Sequence, residues 1–104
     1  MPKRTTDYRS ALLDDLKDPQ EAAHYLNGAL RDSEEALLVA LRDVAEARQM
    51  AKIAETVGVS RESLYRMLSA SGNPTYRNFF GILKALGVEF GNVRASSGRA
   101  RSRP

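Results

Sequence analysis

The sequence predicts an all-α fold, a compact bundle of about five or six short helices. Three observations carry this. Apolar residues recur at three- and four-residue intervals, serine, threonine or aspartate stands where the helices begin, and glycine stands where several of them end. No convincing strand pattern occurs.

Taken in order, residues 1–6 are expected as an unstructured end. Tyr8 to Leu16 reads as a short helix with Leu12, Leu13 and Leu16 on one side. Asp18-Pro19-Gln20-Glu21 marks a sharper start, with a capping acid, proline at the first helical position and glutamate at the third, the arrangement of a capping box. That helix is expected to reach about Leu30 and to bury Ala22, Tyr25, Leu26, Ala29 and Leu30. Ser33 caps the next, with Glu34 and Glu35 where the helix dipole favours anions. Its apolar stripe is Leu37, Leu38, Leu41, Val44 and Ala45.

Three shorter helices follow. One runs from about Met50 to Thr56 and stops at Gly58, and a second runs from Ser60 to near Ser69. The third begins near Thr75 and ends at Gly87, with Phe79, Ile82, Leu83 and Leu86 on one face. Tyr76, Phe79 and Phe80 read as core or as a dimer face, and Val88 to Phe90 as a short extended piece. The organisation expected is a disordered 1–6, an acidic helical arm over 7–32, a compact unit over 33–93 and a basic disordered tail over 94–104.

Length and composition narrow the function classes. A chain of 104 residues, 42% hydrophobic and 28% charged, fits one globular domain and leaves no room for a second sizeable core. Its longest apolar run, Ala36 to Leu41, is far short of the ~20 residues a membrane span needs. No apolar stretch follows Lys3-Arg4, so no secretory signal is expected and the location is the cytoplasm. Without cysteine there is no disulfide, thiolate metal site or thiol nucleophile, and His24 alone cannot make a multi-histidine zinc site. No cofactor is expected. His24 reads as a packing or surface residue, and the adjacent carboxylates Asp14 and Asp15 would point about 100° apart on a helix rather than at one substrate. No serine sits in a glycine-flanked elbow, so an enzyme is not expected.

Charge is polarised along the chain. Residues 5–47 carry four basic groups against ten acidic ones, and residues 48–93 six against three. The two ends add six more basic groups and no acid, for a net charge of +3. Such asymmetry suits two partners of opposite charge, a polyanion and a cationic surface, although two solvated faces would produce it too.

The stretch from Met50 to Ser69 is the most informative. Two short helices crossing at a tight turn need a small residue at the crossing, a residue tolerant of positive φ in the turn, apolar residues around it and a cap on the second helix. Ala54, Gly58, then Ile53, Val57, Val59, Leu64 and Met67, and finally Ser60 fill those positions, so the bundle is expected to contain a helix-turn-helix. The residues left outside are polar. Arg61, Glu62 and Tyr65 are expected near base edges in a major groove, Ser60 and Arg66 near bases or phosphate, and Ser63 and Ser69 beside them. Lys52 with the amides opening the first helix suits a phosphate, and Asn73 and Arg77 are placed to bracket the other strand. A helical hairpin whose charged face merely meets water is the bland alternative.

These segments also resemble a known family. Residues 21–30 (Glu21 to Leu30, including Tyr25-Leu26-Asn27), the runs Met50–Glu55 and Val59–Arg66, and Gly72-Asn73-Pro74-Thr75 leading to Leu83–Val88 are similar to the antidote proteins of bacterial toxin–antitoxin modules, the HigA-like branch of the Cro/repressor-type helix-turn-helix group. The resemblance spans about residues 17–90, and the arginine-rich tail departs from it. It implies a DNA-binding antitoxin that neutralises a small basic ribonuclease toxin of RelE/HigB type and, as a homodimer, represses its own operon. The acids Asp14, Asp15, Asp18, Glu21, Asp32, Glu34 and Glu35 would suit such a toxin, although helix capping already accounts for several. The alternatives are a stand-alone transcription regulator without a toxin and a protein-interaction module with a vestigial helix-turn-helix. The dimer seam is expected at the last helix and residues 88–93, since two recognition helices reading half-sites ~34–36 Å apart are the usual remedy for limited affinity.

Overall fold

A computed structural model describes residues 3–91 and Ala95, with side chains from Tyr8 onward. Among the described residues the chain is all-helical and has no strand. Its six helices are α1 (Lys3–Asp15), α2 (Pro19–Asp32), α3 (Glu34–Ala47), α4 (Met50–Val57), α5 (Arg61–Met67) and α6 (Tyr76–Ala85). The tail expected to be disordered, 94–104, lies outside the described residues apart from Ala95.

Local chemistry explains most of the boundaries. The α1 backbone begins at Lys3, well before Tyr8, because leucine spacing marks where a helix packs and not where it starts. Asp18 caps α2, accepting from the Gln20 N–H at 3.0 Å. The backbone N–H of Asp18 bonds instead to the Asp15 carbonyl at 3.1 Å, so the preceding turn takes the donor that Glu21 would have answered in a full capping box. Ser33 serves two helices at once. Its N–H closes α2 on the Ala29 carbonyl at 3.1 Å, and its Oγ opens α3 by accepting from the Ala36 N–H at 3.0 Å.

Burial of the apolar stripes makes one core. Leu16, Ala22 and Leu26 from the first third join Leu37, Leu41 and Val44 of α3, Ile53 of α4, Leu64 and Leu68 around α5, and Ile82, Leu83 and Leu86 around α6. Each large side chain so buried contributes about 1.5–3 kcal/mol. Arg48, just after α3, ties the turn after α1 to the end of α6: its Nη1 donates to the Leu86 carbonyl at 3.0 Å and its Nε reaches the Leu16 carbonyl at 3.4 Å.

Three expectations need correction. Leu30 is 48% exposed rather than buried, because α3 lies along Ala22 and Leu26 and leaves Leu30 at the rim of a groove shared with Val88 and Phe90. Tyr76 and Phe80 are not core: they are 80% and 48% exposed, stacked edge to face at 5.4 Å, since α6 turns Ile82 and Leu83 inward instead. Residues 88–90 form no strand. The Val88 N–H bonds back to the Leu83 carbonyl at 3.0 Å, and Gly87 at φ 76° makes the reversal that ends α6. Among the described residues, no helix is long and apolar enough to cross a membrane.

Candidate nucleic-acid interface

The segment Met50–Met67 folds as its residues require. Ile53 and Ala54 of α4 are buried against α5, where Leu64 is fully buried. Gly58 adopts φ 91°, the left-handed region that costs glycine little, and the Ala54 carbonyl accepts from both the Gly58 N–H at 2.8 Å and the Val59 N–H at 3.0 Å. Ser60 then caps α5, its Oγ accepting from the Ser63 N–H at 3.0 Å. This arrangement is consistent with a helix-turn-helix.

With Leu64 and Leu68 turned inward, the outer side of α5 is polar. Ser60, Arg61, Glu62, Tyr65 and Arg66 are exposed, as are Lys52 on α4, Asn73 in the following loop and Arg77 on α6. Ser63 and Ser69 are half-buried and already engaged. The Arg66 guanidinium donates to Ser63 Oγ at 3.2 Å, and the Ser69 hydroxyl donates to the Arg66 carbonyl at 3.0 Å, finishing the helix it belongs to. Ser63, Arg66 and Asn73 come together on a shallow cleft of about 280 Å³, closed by Thr75 and Asn78. The first turn of α4 has no side-chain cap, and Gln49 before it stands at φ 77°. The Lys52 N–H bonds to the Gln49 carbonyl at 3.0 Å, and no side chain caps the amides of Met50 and Ala51 before it.

Tyr65 is not a free hydroxyl. It donates to Glu46 Oε2 at 3.2 Å. The other oxygen of Glu46, Oε1, accepts from the Arg9 guanidinium, which also donates to Asp43 Oδ1 at 3.1 Å. Asp43 Oδ2 in turn accepts from the Tyr25 hydroxyl at 2.6 Å. The chain Tyr25–Asp43–Arg9–Glu46–Tyr65 thus crosses from α2 through α3 and α1 to α5. Arg9 is held protonated more firmly than an ordinary arginine, chiefly by its hydrogen bond to Asp43. Burial, and then the bond to Glu46, push the Tyr65 phenol up.

Sequence reasoning missed this network, although one sign of it was legible. Asp43 lies within the apolar stripe of α3, between Leu41 and Val44, and is only 4% exposed. A carboxylate on a buried face has to be paired.

The network has a pH signature. Burial, then the hydrogen bond to Asp43, push the Tyr25 phenol up to about 12. The folded chain therefore holds this proton more tightly than the unfolded one, where tyrosine titrates near ~10. The stabilisation is fully present below pH ~10 and is lost as pH rises toward the folded value. Denaturant melts are expected to show stability falling across that window, and Tyr25→Phe should flatten the fall. The same slope in both proteins would assign the effect to another group.

Among the described residues no cluster of three or more His, Asp or Glu side chains could hold a metal. Residues 7–94 match the sequence profile of a family described as "Probable addiction module antidote protein". The chain is 45% identical over 76 residues to an uncharacterized protein of Haemophilus influenzae, the alignment covering 72% of this chain and 78% of that protein. No solved structure matches.

Proposed function

The chain belongs to the family of probable addiction module antidote proteins, and on that premise we propose that it is a cytoplasmic antitoxin of the HigA-like, Cro/repressor-type branch. It neutralises a small basic ribonuclease toxin of RelE/HigB type and binds the operator of its own operon. Antidotes are not enzymes. The observation that carries the DNA-binding half is the outer side of α5, where Arg61, Glu62, Tyr65 and Arg66 stand clear of the core on a capped helix. Guanidinium groups on such a helix pair with guanine edges or phosphates in a major groove. Lys52 and the uncapped start of α4 supply backbone contacts that position the helix, and Asn73 and Arg77 add others. Ser60, Ser63 and Ser69 mainly shape the helix that presents these groups.

The acidic first half supports the toxin-binding part. Asp32 and Glu35 are exposed along a groove between α2 and α3 floored by Gly28, Ala29, Ala36 and Ala40, and this side attracts a basic protein. The chain acts as a homodimer, with the exposed aromatic face of Tyr76, Phe80 and Phe90 as its seam.

Arg61→Ala combined with Arg66→Ala tests the recognition face. Affinity for the duplex upstream of the gene should fall about tenfold or more, and the dependence on salt should become shallower by ~1–2 in log–log slope. Co-purification with the product of the adjacent gene should persist. Unchanged affinity and slope in the double variant would remove α5 from the interface.

A further inference from the structure

We propose that Tyr65 reads DNA as a hydrogen-bond acceptor, selecting a base that carries an exocyclic amino group, and that Glu46, held by Arg9, is the positioning residue that makes it so. The inference rests on the reading of α5 as the DNA-contacting helix.

A tyrosine hydroxyl has one proton to give and lone pairs with which to accept. In most settings it does either, which makes it a poor discriminator between a base edge that donates and one that accepts. Here the proton already has a partner. Tyr65 is 37% exposed on the outer side of α5, and its hydroxyl donates across the surface to Glu46 Oε2 of α3 at 3.2 Å. While that bond is made, what the hydroxyl can offer an outside partner is acceptor capacity. In the major groove the partners for an acceptor are the amino groups of adenine and cytosine. Guanine O6 and N7, thymine O4 and the phosphate oxygens are acceptors themselves and gain nothing from a hydroxyl in this state.

The commitment depends on where the Glu46 carboxylate is held. Asp43 and Glu46 lie three residues apart on one face of α3 and repel each other unless a cation stands between them. Arg9 is that cation, donating to Asp43 Oδ1 and to Glu46 Oε1. Tyr25 occupies the remaining oxygen of Asp43, and Tyr65 the remaining oxygen of Glu46. Each carboxylate is divided between two donors, so Glu46 has one oxygen left for the recognition helix, and that oxygen faces Tyr65. Arg61 and Arg42 also lie near enough to act on the Tyr65 phenol. With Arg9 absent, Glu46 Oε1 loses the guanidinium that holds it.

The test is selection of bound duplexes from a randomised pool, followed by a base-by-base scan of the selected site, for the full-length wild type and three variants. Wild type should require adenine or cytosine at one position per half-site. Tyr65→Phe should lower affinity about three- to tenfold, as loss of one hydrogen bond does, and abolish the preference at that position only. Glu46→Ala frees the hydroxyl to donate, so guanine or thymine should become acceptable there, a shift that a general loss of stability would not produce. Arg9→Ala should move the preference in the same direction, with thermal melts confirming that it is folded at the assay temperature. A profile for Glu46→Ala identical to wild type at every position would overturn the proposal while leaving α5 as the DNA-contacting helix. Retention of no duplex by any of the proteins, wild type included, would overturn the DNA-binding reading itself.

Discussion

Replacing Leu64 with alanine is expected to destabilise the chain by about 2–5 kcal/mol, the range for deleting a fully buried leucine. Leu64 has no exposed surface, and it lies at the junction of α4, α5 and the rest of the core. A domain of this size loses roughly 4–8 °C in Tm for each kcal/mol, so a fall of well over ~8 °C should appear in the helical circular dichroism signal. On the proposed reading of α5, duplex binding should be lost on heating along the same curve, because Leu64 is buried beneath the polar side of this helix. A fall in Tm of only a degree or two would mean that the helix is not anchored through this side chain.

Gly72→Ala is the second large effect. A Cβ at this position would meet the Met67 carbonyl oxygen at 2.1 Å, its carbon at 2.7 Å and the Arg66 carbonyl oxygen at 2.9 Å. All three are backbone atoms of the last turn of α5, so no side chain can swing aside to relieve the clash. The loop has to move away from the helix, at a cost of about 1–3 kcal/mol. Because the same loop places Asn73 beside Ser63 and Arg66, the proposed DNA-binding role requires duplex affinity to fall by more than the loss of stability alone explains. Chemical denaturation and duplex binding measured on the same preparation separate the two effects. Unchanged stability would show that the close approach of loop and helix is not rigid.

Much of the fold was legible because capping is local chemistry. Asp18, Ser33, Ser60 and Thr75 each accept a backbone N–H at the start of a helix, as their positions in the sequence suggest. Gly58 and Gly87 adopt the positive φ their places imply. The outer side of α5 was legible for a similar reason, since within a short helix the apolar positions determine which residues are left outside. What periodicity could not resolve was how far each face is covered. Leu30, Tyr76 and Phe80 fit the helical pattern, but coverage depends on which neighbours arrive from elsewhere in the chain. The same limit hid the Arg9–Glu46–Tyr65 connection. Its members are separated by 37 and 19 positions, and no local rule brings them together. The contact between Gly72 and Met67 was hidden too, since a Ser-Gly-Asn turn announces flexibility and not a close approach to the preceding helix.

Leu16, Ala22 and Leu26 sit in the same interior as Leu64 and Leu86, and Arg48 holds the carbonyls of Leu16 and Leu86 on one guanidinium. The first two helices thus share one interior with the helices that follow. A fragment beginning at Ser33 would leave open seats where three apolar side chains belong and would strip Arg48 of one acceptor, so it would report on its own collapse and not on which partner the missing helices engage. Contact maps for this protein have to come from exchanges of surface side chains on an intact backbone. A partner gripping α1 or α2 grips helices that share their core with α5.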